Sequence, residues 1–306
     1  MSQGAKATVF WYALPGVGVS FVYTLILIMF MKFSTDVLQV NSAVIGLILF
    51  FSKAWDAVSD PVAGYLSDRT RSSRGRRKSW LLASSLPLAL FCAMLWMPPA
   101  GLEGAALIAW ISVAVFGFYT AYTVFEVPHL ALGAELSSDF RERNRLFGGR
   151  QLGKMLGLIL AGSVGVMLLD SPNARANAVP LALVAGALTA ISLWISVRAL
   201  PPERADYSGR GGENPLRSVG DVWRNRLART LLIVFFIESL GMGGIGVLVP
   251  YVIEYVLEMP GKAAYFLVAY TGSTMSCWAW WGSCSTRWAS VPVSCRRRAY
   301  AARCSS

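Results

Sequence analysis

A chain of 306 residues that is 55% hydrophobic and only 15% charged, with a mean hydropathy of +0.50, is not a soluble globular domain. Its net charge of +11 would suit a nucleic-acid binder. The cations fall in short loops between apolar runs, however, which is the positive-inside distribution of a multi-pass membrane protein, so no nucleic-acid partner is expected. One His and five Cys without paired spacing make no metal site. No cleavable signal peptide is expected, because the first apolar run is too long and lacks a small-residue cleavage site.

The first predicted span runs from Val9 to Phe33 and holds Pro15, Gly16 and Gly18, which allow a bend or a close helix approach. The second, Asn41 to Leu66, is followed by a basic loop that closes at Lys78, and the third is Trp80 to Met97. The fourth, Ala105 to Leu132, carries Glu126 near its end, before Pro128 and His129. A second basic loop, Gly133 to Arg145, leads to span five, Gln151 to Leu169, and span six, Val179 to Leu200. Each is close to the twenty or so residues that a hydrocarbon core needs.

Residues 201–229 turn to Pro, Gly, Ser and Arg and read as a polar connection between two bundles. Spans seven (Thr230 to Val256) and eight (from Ala263) follow. The domain reading is thus a six-helix bundle over 1–200, a central loop over 201–229 and the start of a second bundle over 230–273. In the tail, 274–306, the helical period is lost and Cys277, Cys284, Cys295 and Cys304 stand at spacings that do not suit zinc. Out-of-frame translation from near Thr274 is the reading of that tail.

Charge sets the orientation. Loops after spans two, four and six are rich in Arg, whereas the others hold Asp36, Glu103, Asp170, Glu254 and Glu258. The amino terminus and the Arg-rich loops are therefore expected in the cytoplasm.

Span two carries the chemistry. Lys53, Asp56 and Asp60 interrupt an apolar helix, and an ionisable residue there costs about 2.5–3.5 kcal/mol on insertion scales, so its default reading is functional. Asp56 and Asp60 are four apart and share a helix face. Paired carboxylates on one face suit a sodium ion or a shared proton. The plainer alternative is that Asp56 pairs structurally with Lys53, three residues away.

Two stretches carry a family resemblance. The first is Trp55-Asp56-Ala-Val-Ser-Asp60-Pro61 with Gly64-Tyr-Leu-Ser-Asp68-Arg69-Thr-Arg71-Ser-Ser-Arg74-Gly75-Arg76-Arg77. The second is Val127-Pro128-His129-Leu-Ala131-Leu-Gly133-Ala-Glu135-Leu, continued through Asp139, Arg141-Glu142-Arg143-Asn-Arg145-Leu146 and Arg150; Thr35-Asp36-Val37-Leu38 adds to them. Over about residues 8–270 the chain resembles the glycoside–pentoside–hexuronide cation symporters, the melibiose-permease-like family of the major facilitator superfamily.

The resemblance implies an all-α major facilitator fold, of which the chain would supply the complete N-terminal six-helix bundle and about two helices of the C-terminal bundle. Members have twelve spans in two six-helix halves with the site between them, so the chain looks truncated by about four spans. It implies cation-coupled symport of a sugar or other small organic solute, with Na+ or H+ as coupling ion, no other cofactor, and a location in a cell membrane of bacterial inner-membrane type. Asp56 and Asp60 occupy the cation positions, and Thr123 matches a ligating hydroxyl, though a lone Thr can equally bond its own backbone. Glu126 and Arg150 occupy solute positions; alternatively they are a pair that bridges helices four and five. Ser20 and Lys53 complete the substrate-facing set. Ser20 stands where relatives have an aspartate, and Leu130 where they have a tryptophan, so the solute need not be a sugar. Gly64, Asp68, Arg69, Arg74, Gly75, Arg76 and Arg77 match a motif that joins helices across the cytoplasmic face. His129, read as lying at a helix end, is a candidate for a titrating role.

Two other classes fit parts of the sequence. A membrane prenyltransferase would need two Asp-rich clusters to hold magnesium and a diphosphate, and only one candidate exists. A nonfunctional fragment of a disrupted transporter gene is compatible with the same amino-terminal fold.

Overall fold

The computed structural model describes residues 3–99, 101–169 and 173–203, with a few further positions between 220 and 257. All belong to the first of two compact units, Met1–Ala264. Most of spans seven and eight, most of the central loop and the whole 274–306 tail lie outside the described residues; residues 226–234, from the end of the central loop into span seven, are helical and mostly exposed.

Six long helices make the described unit: α1 (Gln3–Thr24), α2 (Ser42–Arg69), α3 (Arg76–Trp96), α4 (Gly104–Leu136), α5 (Phe140–Leu169) and α6 (Ala174–Ala199). Two π-helical turns, Leu25–Phe30 and Phe33–Val37, extend α1. Five of the helices are long and apolar enough to cross a membrane. The protein is an all-α, multi-pass membrane protein.

Neighbours follow one chain of contacts: α1 packs between α5 and α6, α3 between α6 and α4, and α2 lies on α4. The core runs along this line through Tyr12, Phe30, Phe33, Leu81, Trp96, Phe118, Tyr119 and Phe125, all nearly inaccessible. Trp96 closes one end, its ring 4.9 Å from Phe33 and 6.0 Å from Phe30. By contrast, α2 exposes Leu47, Phe51, Trp55, Val58 and Val62. Such an apolar face requires lipid or another helix against it.

Glycines let α5 and α1 meet backbone to backbone. A Cβ at Gly153 would stand 2.6 Å from the Ala13 carbonyl oxygen, and one at Gly157 would collide with the Val17 carbonyl. The small-residue seam is the usual device for close approach in a membrane, where no hydrophobic force draws helices together. The same seam sets the azimuth of Arg150 and Lys154 on α5.

Helix ends differ from the sequence reading in three places. Arg76, Arg77 and Lys78 are not loop residues but the first turn of α3. Cations are disfavoured at a helix N-terminus, and a carboxylate from beyond α6, described below, offsets them. The second basic loop shrinks to residues 137–139, because α4 continues to Leu136 and α5 starts at Phe140. Finally, α4 passes through Pro128, so His129 lies two turns inside the helix. With 33 residues, α4 is about 50 Å long, well beyond the roughly 30 Å of a hydrocarbon core, and its last turn stands among the basic residues.

Candidate functional site

Asp60 and Thr123 come together between α2 and α4. Thr123 is buried, and its Oγ1 donates to Asp60 Oδ1 at 2.8 Å. Ser59 Oγ donates to the same Thr123 hydroxyl at 3.3 Å. The hydroxyl is thus turned across the helix interface rather than onto its own backbone. Trp55 Nε1 donates to Thr120 Oγ1 at 3.0 Å one turn away, fixing the register of the two helices.

One turn back along α2, Asp56 holds Lys53, with Oδ2 at 3.1 Å from the ammonium. Lys53 Nζ also donates to the Tyr23 hydroxyl at 3.1 Å and sits 3.9 Å from the centre of the Tyr119 ring. A cation over an aromatic face gains from the ring quadrupole. The ion pair that the sequence left as an alternative is therefore present. Asp56 Oδ1, however, is buried with no hydrogen-bond partner.

One turn further along α4, Glu126 meets α5. Its Oε1 accepts from both Arg150 and Lys154, the ammonium at 2.5 Å. Glu126 Oε2 is buried and has no hydrogen-bond partner. The expected pair is thus a triad, and Lys154 is its member that the sequence reading missed. The signal was there: Lys154 is four residues after Arg150 and must share its face.

His129 is locked behind this triad. Arg150 Nε–H donates to Nδ1 at 3.3 Å, so Nδ1 carries no proton, and Nε2 lies 3.0 Å from the Tyr12 carbonyl, which can only accept. A single neutral tautomer satisfies both. Tyr12 returns a bond from its hydroxyl to the His129 carbonyl at 2.9 Å, and the imidazole stacks between Tyr12 and Phe125, 4.4 and 4.8 Å between ring centres. The ring is 1% exposed. This is a structural histidine that orients Arg150, in place of the titrating role considered from sequence.

Ser20 donates to the Lys154 carbonyl at 2.8 Å. Its hydroxyl therefore ties α1 to α5 directly beneath the triad.

The second motif assembles at the end of the bundle where α2, α4 and α6 finish. Arg77 Nη2 reaches Asp68 Oδ1 at 2.6 Å and Glu135 Oε1 at 2.9 Å, and Arg76 Nη2 reaches Glu135 at 2.7 Å. Glu203, not anticipated from sequence, accepts the backbone N–H groups of Arg76, Arg77 and Lys78 at 2.9, 3.0 and 2.8 Å. Lys78 Nζ answers by donating to the Leu200 carbonyl at 2.7 Å, near the C-terminus of α6. Each helix end thus receives the charge its dipole favours. Gly64 lies against Val127 of α4, Arg69 stacks on Tyr65, and Arg74 stays exposed in the turn. At the other end of the bundle a hollow of about 450 Å³ is lined by Asn41, Glu103 and Arg175. None of the charged mid-helix residues reaches it.

Residues 11–302 match the profile of a family described as MFS/sugar transport protein. The chain belongs to this family. Membership makes it a transporter-family protein and sets aside the membrane-enzyme reading. Among curated relatives, an uncharacterized symporter of Synechocystis is 33% identical over 54% of this chain and 32% of its own length. Inner membrane symporter YicJ of Escherichia coli is 25% identical over 80% of this chain and 53% of its own. A sodium-dependent lysophosphatidylcholine symporter of Danio rerio is 32% identical over 46% of this chain and 26% of its own. The chain spans about half the length of these relatives or less.

Proposed function

We propose that this chain acts in secondary active, cation-coupled symport of a small organic solute by alternating access. Asp60 and Thr123 hold the coupling cation, Na+ or H+, and Asp56 offers its unpartnered Oδ1 to the same ion. Glu126 and Arg150, with Lys154, face the solute. The observation that carries this reading is the placement of Thr123 and Glu126 one turn apart on α4. One faces a carboxylate of α2 and the other a cation pair of α5. Cation and solute would then be felt by the same helix, which is what coupling requires. Lys53 braces Asp56 rather than reaching the solute. The Arg-rich end, where Arg77 joins Asp68 to Glu135, faces the cytoplasm, and the amino terminus with it; the membrane is the cell membrane. Sodium- and symport-bearing names among the relatives support the coupling.

The test is equilibrium binding of radioactive sodium, and of protons by pH change in unbuffered solution, to the chain in lipid nanodiscs. One saturable cation site is expected, abolished by Asp60→Asn and weakened by Asp56→Asn. An unchanged site in Asp60→Asn refutes the assignment.

A further inference from the structure

The ammonium of Lys53, on α2, stands among groups from three helices. It is 3.1 Å from Asp56 Oδ2, donates to the Tyr23 hydroxyl of α1 at 3.1 Å, and sits 3.9 Å from the centre of the Tyr119 ring of α4. The rings of Tyr23 and Tyr119 meet edge to face, 6.1 Å between centres, and Tyr23 also stacks on Tyr122 at 4.6 Å. Tyr119 is buried, so the aromatic seat is firmly packed. An ammonium has three donors and can bridge both oxygens of a carboxylate, yet this one bonds Oδ2 alone. The Tyr23 hydroxyl and the Tyr119 ring face draw it to one side. Asp56 Oδ1 is left buried, with no hydrogen-bond partner among the described residues.

Resting on the cation site of the symport reading above, we infer that Lys53 is a tethered competitor of the coupling cation, and that Tyr23 and Tyr119 set the strength of this competition by holding its ammonium to one oxygen of Asp56. A sodium ion at Oδ1 and the ammonium at Oδ2 share one carboxylate, close together in a medium that screens poorly. Each weakens the hold of the other. Arrival of the ion therefore loosens Lys53 from Asp56, and the side chain, 43% exposed, has room to withdraw over Tyr119. Release is the reverse: the ammonium closes over both oxygens and displaces the ion. The seat belongs to α1 and α4, whereas the carboxylate belongs to α2. A shift of either helix against α2 thus changes where the ammonium rests, and with it the cation affinity. Such a device binds the ion in one arrangement of the bundle and sheds it in another. Lysine suits the task, because a point charge on a flexible stem moves between partners where a guanidinium fork would lock onto the carboxylate.

Equilibrium binding of radioactive sodium to the full chain in nanodiscs, at mildly alkaline pH where protons compete least, tests this. Lys53→Met should bind sodium about tenfold tighter than wild type, or more, a gain that misfolding cannot produce. Lys53→Arg keeps the charge and should bind no tighter than wild type. Tyr23→Phe keeps the stacked ring and removes the hydroxyl; it and Tyr119→Leu should each weaken sodium binding about threefold or more. Introduced into Lys53→Met, the same two changes should have no effect, because no ammonium is left to position. Any partner of Lys53 elsewhere in the chain is common to both arms of these double-mutant cycles and cancels. A tyrosine with a purely structural role would weaken binding in both backgrounds. The inference is overturned by sodium binding that is unchanged or weaker in Lys53→Met, that tightens as much in Lys53→Arg, or that still depends on the tyrosines without Lys53. If Asp60→Asn abolishes the site while Lys53→Met fails to tighten it, the cation site stands and only the role of Lys53 falls. If neither wild type nor Lys53→Met binds sodium saturably, the inference also falls, and proton uptake by wild type decides the cation reading separately.

Discussion

Glu203 occupies the space that a side chain at Gly75 would need. A Cβ on Gly75 would stand 2.6 Å from Glu203 Oε1, and Gly75 itself adopts φ 103° and ψ 146°, a region open essentially to glycine. The turn after α2, the first turn of α3 and the chain leaving α6 are thereby one unit, closed by a carboxylate over three backbone N–H groups. Gly75→Ala is expected to cost about 1–3 kcal/mol from backbone conformation alone, with displacement of Glu203 added. Glu203→Gln should cost about 1–2 kcal/mol, because the neutral amide loses charge-assisted bonds to the helix end. Thermal unfolding in detergent measures both. Equal midpoints for wild type and Gly75→Ala would show that the cap does not hold α3.

The α1–α5 seam makes a second prediction with its own control. Gly153→Leu should destabilise by more than the 1–3 kcal/mol usual for overpacking, roughly, since the obstacle is the Ala13 backbone and not a side chain that can turn away. Gly162 lies on the same helix with nothing within 4 Å of a built Cβ. Gly162→Ala should therefore be neutral or stabilise by a few tenths of a kcal/mol through helix propensity. Folded yield by size-exclusion chromatography separates the two, and a well-folded Gly153→Leu would contradict this packing.

The apolar periods and the loop charges were enough to place six helices and the two carboxylates of α2, because insertion cost and helix geometry act through local sequence. Asp60 with Thr123, and Glu126 with Arg150, were expected as sets and are brought together. Lys154 was legible by its spacing from Arg150, yet a lone lysine near a helix start reads as a flank until α5 is seen to begin at Phe140. Glu203 was not legible. A carboxylate in a Pro-rich stretch gains its role only from the tertiary fold that brings α6 to α3, and without it the cations of Arg76–Lys78 read, wrongly, as loop residues. Pro128 misled for the opposite reason: its local rule ends helices, whereas α4 is held by packing on both sides of it.

Thr123 offers the most direct probe of the α2–α4 site. Thr123→Val keeps the shape and removes the hydroxyl that donates to Asp60 at 2.8 Å. Loss of one hydrogen bond to a charged group, about 1.5–3 kcal/mol, should raise the half-saturating cation concentration by about tenfold or more. Thr123→Ser should stay near wild type. If Thr123→Val binds cation as tightly as wild type while Asp60→Asn does not, the hydroxyl only orients Asp60 in the empty state.

Arg77 shows whether the Arg-rich end depends on geometry or on charge alone. Its guanidinium reaches Asp68 and Glu135 together, from α2 and α4, and Nε as well as Nη2 takes part at 2.9 Å. A lysine keeps the charge but cannot span two carboxylates with a planar fork. Arg77→Lys is therefore expected to lose about 1–3 kcal/mol of stability, close to the loss in Arg77→Ala. A double-mutant cycle between Asp68→Asn and Glu135→Gln should show coupling of about 0.5 kcal/mol or more, although the cycle's two carboxylates meet only through Arg77. Additive losses, or a wild-type midpoint for Arg77→Lys, would reduce the cluster to a set of topology-setting charges. In that case the polar ties at this end would be the Glu203 and Lys78 caps, and removing both should loosen the first turn of α3 from the end of α6 while the packing further along the two helices and the Thr123–Asp60 contact at mid-bundle persist.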